Sequence, residues 1–211
     1  MNIGGIANLT VLDGSSGPRG FDTGPGNCLL DAWTERHLGR RYDRDGHWTT
    51  TGHVNEALLA SLRADPWFAQ PPPKSTGRDY FNLSWLRDGE RAAIVDAAEP
   101  RHVQATLATL TAQTIADAVR AALPATASLL VCGGGAHNPA LMRALADALP
   151  GKAVAATDAH GLPAAAVEAV AFAWLAKLRI VGEAAPLPAL TGATRPLVLG
   201  ALHAPDGVRG A

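Results

Sequence analysis

The chain has 211 residues, 47% hydrophobic and 18% charged, with a formal net charge of −1, enough for one sizeable core or two small lobes. With no basic block, nothing in it points to nucleic acid or an anionic membrane surface, and no run approaches the roughly 20 apolar residues of a membrane span. Two distant cysteines, Cys28 and Cys132, give neither a disulfide framework nor a zinc motif and fit a reducing cytosol; the start lacks the charged-then-apolar pattern of a signal peptide.

Asn2 to Leu12 reads as a strand, a Gly4-Gly5 turn and a second strand, followed by a turn at Asp13 to Gly17. Next comes Gly20-Phe-Asp-Thr-Gly-Pro-Gly-Asn27. It sets one carboxylate, Asp22, among three glycines and a proline, and predicts a tight loop there. A helix follows from about Asn27 to Leu38, with Asn27 a suitable N-cap. A second helix, from about Val54 to Ala64, has Val54, Leu58, Leu59 and Leu62 on one face and ends at Pro66.

Gln70 to Asn82 contains three successive prolines and is expected to be extended and irregular. Its polar cluster of Lys74, Ser75, Thr76 and Arg78 is either a substrate lid, with Lys74 a substrate contact, or a solvated loop. A long helix runs from about Arg101 to Leu123, striped by Val103, Leu107, Leu110, Ile115, Ala118 and Ala122. Ser128 to Cys132 reads as a buried strand. Gly133-Gly134-Gly135 then leads to a helix opening at Pro139, with Asn138 as cap.

A short strand near Ala153 to Thr157 precedes the last strong helix, from about Ala164 to Val181. Val167, Val170, Ala171, Trp174, Leu175 and Leu178 form its apolar face. The tail from Pro186 is rich in proline and glycine and reads as irregular structure of the same domain. This order predicts an α/β domain whose mixed sheet is antiparallel at the start and parallel later.

Asp22 is either a general base or a turn aspartate bonded to its own backbone. Gly133, Gly134, Gly135 and Asn138 sit where a helix N-terminus could receive a phosphate or nucleotide, or where a tight turn needs positive φ. Their spacing matches neither the dinucleotide fingerprint nor a P-loop. Gly4-Gly5, near Asn8 and Thr10, could cradle phosphate oxygens, although most such hairpin turns bind nothing. Glu168, among small and apolar neighbours, faces either solvent or a ligand. The histidines show no metal spacing, and no metal site is expected.

Several segments, taken in order, resemble the anhydro-N-acetylmuramic acid kinases across nearly the whole chain. They are Asn2–Thr10, Gly20–Asn27, Pro71-Pro-Pro-Lys-Ser-Thr-Gly-Arg78, Val131-Cys-Gly-Gly-Gly-Ala-His-Asn138, Glu168-Ala169 and Thr191-Gly-Ala193. The resemblance implies an actin/hexokinase-like (ribonuclease H-like) fold with two lobes closing over ATP and Mg2+. It implies hydrolysis of the 1,6-anhydro bond of anhydro-N-acetylmuramic acid with phosphorylation of O6. The product would be N-acetylmuramic acid 6-phosphate, in cytoplasmic peptidoglycan recycling.

Under the resemblance Asp22 is the base that activates water. Gly133 to Gly135 with Asn138 form the adenosine-side loop, Gly4 and Gly5 the phosphate-side turn, and Glu168 faces the sugar. Family members are longer at the N-terminus, where they carry a first phosphate loop of the Gly-Thr-Ser-x-Asp-Gly type. No such motif occurs here. Residues 1–211 are therefore expected to be the C-terminal lobe, with 186–211 its irregular tail. Activity would await a separately supplied N-terminal lobe, and the face meeting that lobe would be apolar. A homodimer is a further expectation. The alternative class is a noncatalytic nucleotide- or sugar-binding fragment; a plain sugar kinase or a sugar-acid acetyltransferase comes third.

Overall fold

Alternation of apolar and polar residues lays out the sheet. β1 (Asn2–Ile3) and β2 (Ile6–Val11) pair antiparallel across Gly4-Gly5, and β3 (Arg19–Pro25) pairs antiparallel with β2. Ile3, Ala7, Leu9, Val11, Phe21 and Thr23 are buried on one face; Asn2, Asn8, Thr10 and Asp22 fall on the other. This computed structural model describes residues 1–203 except 13, 15, 16, 126, 127 and 192. Part of the expected Asp13–Gly17 turn and the end of the tail lie outside the described residues.

β4 (Ser128–Val131) and β5 (Ala153–Ala156) pair in parallel. A parallel bridge between Asn2 and Cys132 joins them to the hairpin. Ile3 N–H donates to Cys132 O at 2.9 Å, and Cys132 N–H to Met1 O at 2.8 Å. The strand order is β3-β2-β1-β4-β5, the mixed sheet of the expected fold class. In β4 only Leu129 and Val131 are buried, while Ser128 and Leu130 are exposed. The strand expected to be fully buried is half-buried because the core packs against one face.

The helices are α1 (Cys28–Leu38), α2 (Glu56–Arg63), α3 (Leu83–Leu86), α4 (Arg91–Ala97), α5 (Pro100–Ala122), α6 (Pro139–Ala148), α7 (Val167–Val181) and α8 (Pro188–Thr191). α5, roughly 34 Å long, is the shared spine. Its Val103, Leu107 and Leu110 pack with α1, α2 and an aromatic group. Its Ala112, Ile115, Ala116 and Val119 pack beneath the sheet with Leu141 and Leu145 of α6. In the aromatic group, Phe81 has Trp67, Tyr80 and Trp85 at ring-centroid distances of 5.3, 4.9 and 4.8 Å.

One expectation is corrected, and one helix face is left uncovered. Asn27 stands at the N-cap position of α1, but its side chain does not cap the helix. The Gly4-Gly5 turn does so instead: Asn27 N–H donates to Gly4 O at 2.8 Å and Cys28 N–H to Gly5 O at 3.0 Å, satisfying orphan amides of the first turn. In α7, of the expected apolar face only Leu178 is buried; Val170 and Trp174 are exposed, as are Phe172, Ile180 and Val181. α7 packs mainly on the 3-10 turn Ala164–Ala166 that precedes it, so its stripe is not taken into either buried cluster.

Candidate active site

Asp22 lies within β3, not on a loop. The register steps from Asn8↔Asp22 to Ala7↔Gly24, so Thr23 is the extra residue of a bulge. The neighbouring glycines serve close approach rather than a turn at Asp22. A Cβ on Gly26 would stand 2.4 Å from Gly4 O. On the outer sheet face, Asp22 Oδ1 accepts from Asn8 Nδ2 at 2.9 Å and Oδ2 from Thr76 N–H at 2.8 Å. Asp22 N–H donates to Lys74 O at 3.0 Å, so the proline-rich segment runs beside β3 and clamps the carboxylate. One lone pair on each oxygen is left for a further donor.

Asn2, Asn8 and Asp22 stand in one register row across three strands. Strand spacing puts the outer two about 10 Å apart. At the Asn2 end, its Nδ2 donates to Glu168 Oε1 at 2.8 Å. Two acids thus flank the row, each held by an asparagine amide. Glu168 is exposed in the first turn of α7.

The Gly4-Gly5 turn closes on this row. Its carbonyls are engaged by the end of the Gly20–Asn27 segment: Gly5 O accepts from Gly26 N–H at 2.9 Å, and Gly4 O accepts from Asn27 Nδ2 at 3.1 Å. The Arg78 guanidinium lies against Gly5, where a Cβ would be 2.6 Å from Nη2.

In the triple-glycine loop, Gly133 has φ 81°, and a Cβ there would meet Asn2 Oδ1 at 2.2 Å. One on Gly135 would meet Ile3 Cγ2 at 2.4 Å. Both glycines therefore have a packing reason against β1, independent of any nucleotide. Gly134 alone has room, with Asn27 Nδ2 3.7 Å from its Cβ position. Asn138 does cap α6: its Oδ1 accepts from the N–H groups of Ala140 and Leu141, both at 3.1 Å.

Gly134 and Asn138 border a cavity of about 530 Å3 that Asn27, Asp31, Tyr42 and Gln104 also line. Burial pushes the Asp31 carboxyl up to about 6, against the opposing pull of the Arg78 charge. A second cavity, about 630 Å3, lies on the other side of β3, where Phe21, Thr23, Pro72, Pro73 and Lys74 line it. The structure does not bring the Lys74 ammonium to Asp22. It donates to Phe68 O at 2.9 Å and sits 4.3 Å from the Trp67 ring centroid, tying the proline-rich segment to the aromatic group. Among the described residues no group of three or more His, Cys, Asp or Glu could hold a metal ion, and no helix is long and apolar enough to cross a membrane.

Sequence reasoning singled out Asp22 but not what holds it. Asn8 was signalled by its place in the strand alternation; Thr76, 54 residues away, carried no local signal. Gln104 was missed altogether.

The anhydro-N-acetylmuramic acid kinase family model matches residues 1–205. The chain is 54% identical over 207 residues to the anhydro-N-acetylmuramic acid kinase of Ralstonia nicotianae, covering 96% of this chain and 54% of that protein. It is 50% identical over 203 residues to that of Xanthomonas axonopodis pv. citri, with 96% and 54% covered. The chain thus spans about half the length of the curated relatives it matches. A similar solved structure is the activator of the 2-hydroxyisocaproyl-CoA dehydratase from Clostridium difficile with bound ADPNP. That match has 16% identity and a TM-score of 0.41, covering 74% of this chain and 52% of that one. By the extent of the family match, the chain belongs to the anhydro-N-acetylmuramic acid kinase family.

Proposed function

We propose that the chain is the C-terminal lobe of an ATP-dependent kinase that opens the 1,6-anhydro bond of anhydro-N-acetylmuramic acid and phosphorylates O6. The observation that carries this reading is the Asp22 carboxylate, fixed by Asn8 and Thr76 on the open face of the sheet beside the Gly4-Gly5 turn. The carboxylate takes a proton from a water, and the water oxygen bonds to the anomeric carbon. The bond from that carbon to O6 breaks, and its electron pair lets O6 attack the γ-phosphorus; ADP leaves. The product is N-acetylmuramic acid 6-phosphate, in cytoplasmic peptidoglycan recycling.

Glu168, at the far end of the row, accepts a sugar hydroxyl. Arg78 and the Gly4-Gly5 turn neutralise and position the phosphates, which is most of what phosphoryl transfer asks of a protein. Mg2+ fits as an ion carried by those phosphates rather than by a protein cage, since the described residues form no cluster of their own for it. It would supply charge neutralisation at the phosphates.

The exposed apolar face of α7 supports a lobe that another segment covers, and equally favours the second reading, a noncatalytic nucleotide- or sugar-binding fragment. The test incubates the chain with ATP, Mg2+ and anhydro-N-acetylmuramic acid, alone and with the separately expressed N-terminal half of a relative. Sugar 6-phosphate should form in the mixture, and Asp22→Asn should lower kcat by about 10^2- to 10^4-fold with ADP affinity unchanged. Turnover that survives Asp22→Asn removes the base assignment. ADP binding without turnover in either arm leaves the fragment reading.

A further inference from the structure

We propose that Gln104 reads the base of the bound nucleotide, its side-chain amide offering one donor and one acceptor to the edge of adenine from the floor of the 530 Å3 cavity. This inference rests on the nucleotide reading above and deepens it.

Gln104 is 0% exposed, and neither Oε1 nor Nε2 has a hydrogen-bond partner. The other buried polar side chains of α5 are satisfied: Thr106 donates to His102 O, Thr111 to Pro25 O and Thr114 to Thr111 O. An unpaired buried amide is costly, and an apolar residue of similar volume would avoid the cost. Its retention on the wall of a cavity calls for a ligand with matching groups. Adenine presents adjacent donor and acceptor atoms, N6 with N1 or N7, that a single glutamine amide can bond together.

The surroundings orient such a ligand. Leu30 and Tyr42 offer the cavity apolar surface, suited to the faces of a flat ring. Asp31, Asp43 and Asp45 outnumber Arg44 around it, which disfavours phosphates inside and suits a base and ribose. Asn27 lines the cavity and also bonds Gly4 O, so the exit for the phosphates leads to the Gly4-Gly5 turn and Arg78. The base therefore goes in and the phosphates point out.

The test measures the affinity of the 211-residue chain for ADP, for the diphosphate of purine riboside, which lacks the exocyclic amine, and for inorganic tripolyphosphate. The native chain should prefer ADP to the amine-free analogue by about tenfold. Gln104→Met keeps the volume of the site; it should abolish that preference and leave tripolyphosphate binding unchanged. On the native chain, the Gln104 side-chain amide NMR resonances should shift with ADP and stay in place with tripolyphosphate, a readout independent of any variant's folding. A preference that persists in Gln104→Met, or resonances indifferent to ADP, overturns the assignment of Gln104 and leaves the nucleotide site standing. A native chain that binds neither nucleotide overturns the nucleotide reading and this inference with it.

Discussion

Asp31 and Asp65 are both partly buried carboxyls, yet their neighbours move them in opposite directions. Burial would raise Asp65, but hydrogen bonds from Trp67 N–H, the Trp85 indole and the Tyr80 hydroxyl outweigh it and hold the group below its ordinary value. At Asp31 the Arg78 charge does not offset burial, which pushes the group up to about 6. Between the ordinary carboxyl value near 4 and that raised value, the folded chain binds more protons than the unfolded one. Stability therefore falls as pH rises through this window. Asp31→Asn is expected to be more stable than the native chain at pH 8 and to lose that advantage by pH 3.5, as read by urea denaturation at both values. Burial also pushes the Cys28 thiol up to about 11, so a maleimide at pH 7 should label it only after unfolding. At this scale Asp22 was legible as a lone acid among glycines. Gln104 was not, because a glutamine beside an apolar helical stripe looks like any good helix former until its neighbours are seen.

Long helices with strong periodicity and the short strands were legible, and the short helices were not. α5 begins and ends within a residue of where apolar spacing puts it, and α6 opens at the expected Pro139. α3 spans four residues and depends on Asn82 accepting from Ser84 and Trp85 N–H, below what a periodic pattern can report. α7 was legible as a helix with an apolar face, but not that most of this face is left exposed, because periodicity reports a stripe and not what covers it. The triple-glycine loop carries a prediction at this scale. Gly135→Ala should cost about 1 kcal/mol or more, since its Cβ meets Ile3. Gly134→Ala should change stability by less than about 0.5 kcal/mol and act on nucleotide affinity instead. Thermal melts of the two variants separate packing glycines from a ligand-facing one.

The order of elements made the mixed α/β architecture readable from the sequence as a whole, while the joining of hairpin and β4 through the Asn2–Cys132 bridge is a long-range event with no local mark. Val170, Phe172, Ile180 and Val181 leave α7 with large exposed apolar side chains, the kind of surface that associates. The chain should self-associate with rising concentration in sedimentation velocity, and Phe172→Glu with Ile180→Glu should weaken this without loss of helical signal. One feature of β3 bears on inhibitors. Phe21 and Thr23 face the 630 Å3 cavity, while Asp22 between them points to the opposite side of a sheet one strand thick. If the proposed function holds, a compound lodged in that cavity would not compete with the sugar. It would shift the strand that carries the acid, so Vmax would fall at every sugar concentration while KM held, and a screen scored by displacement of substrate would pass over it.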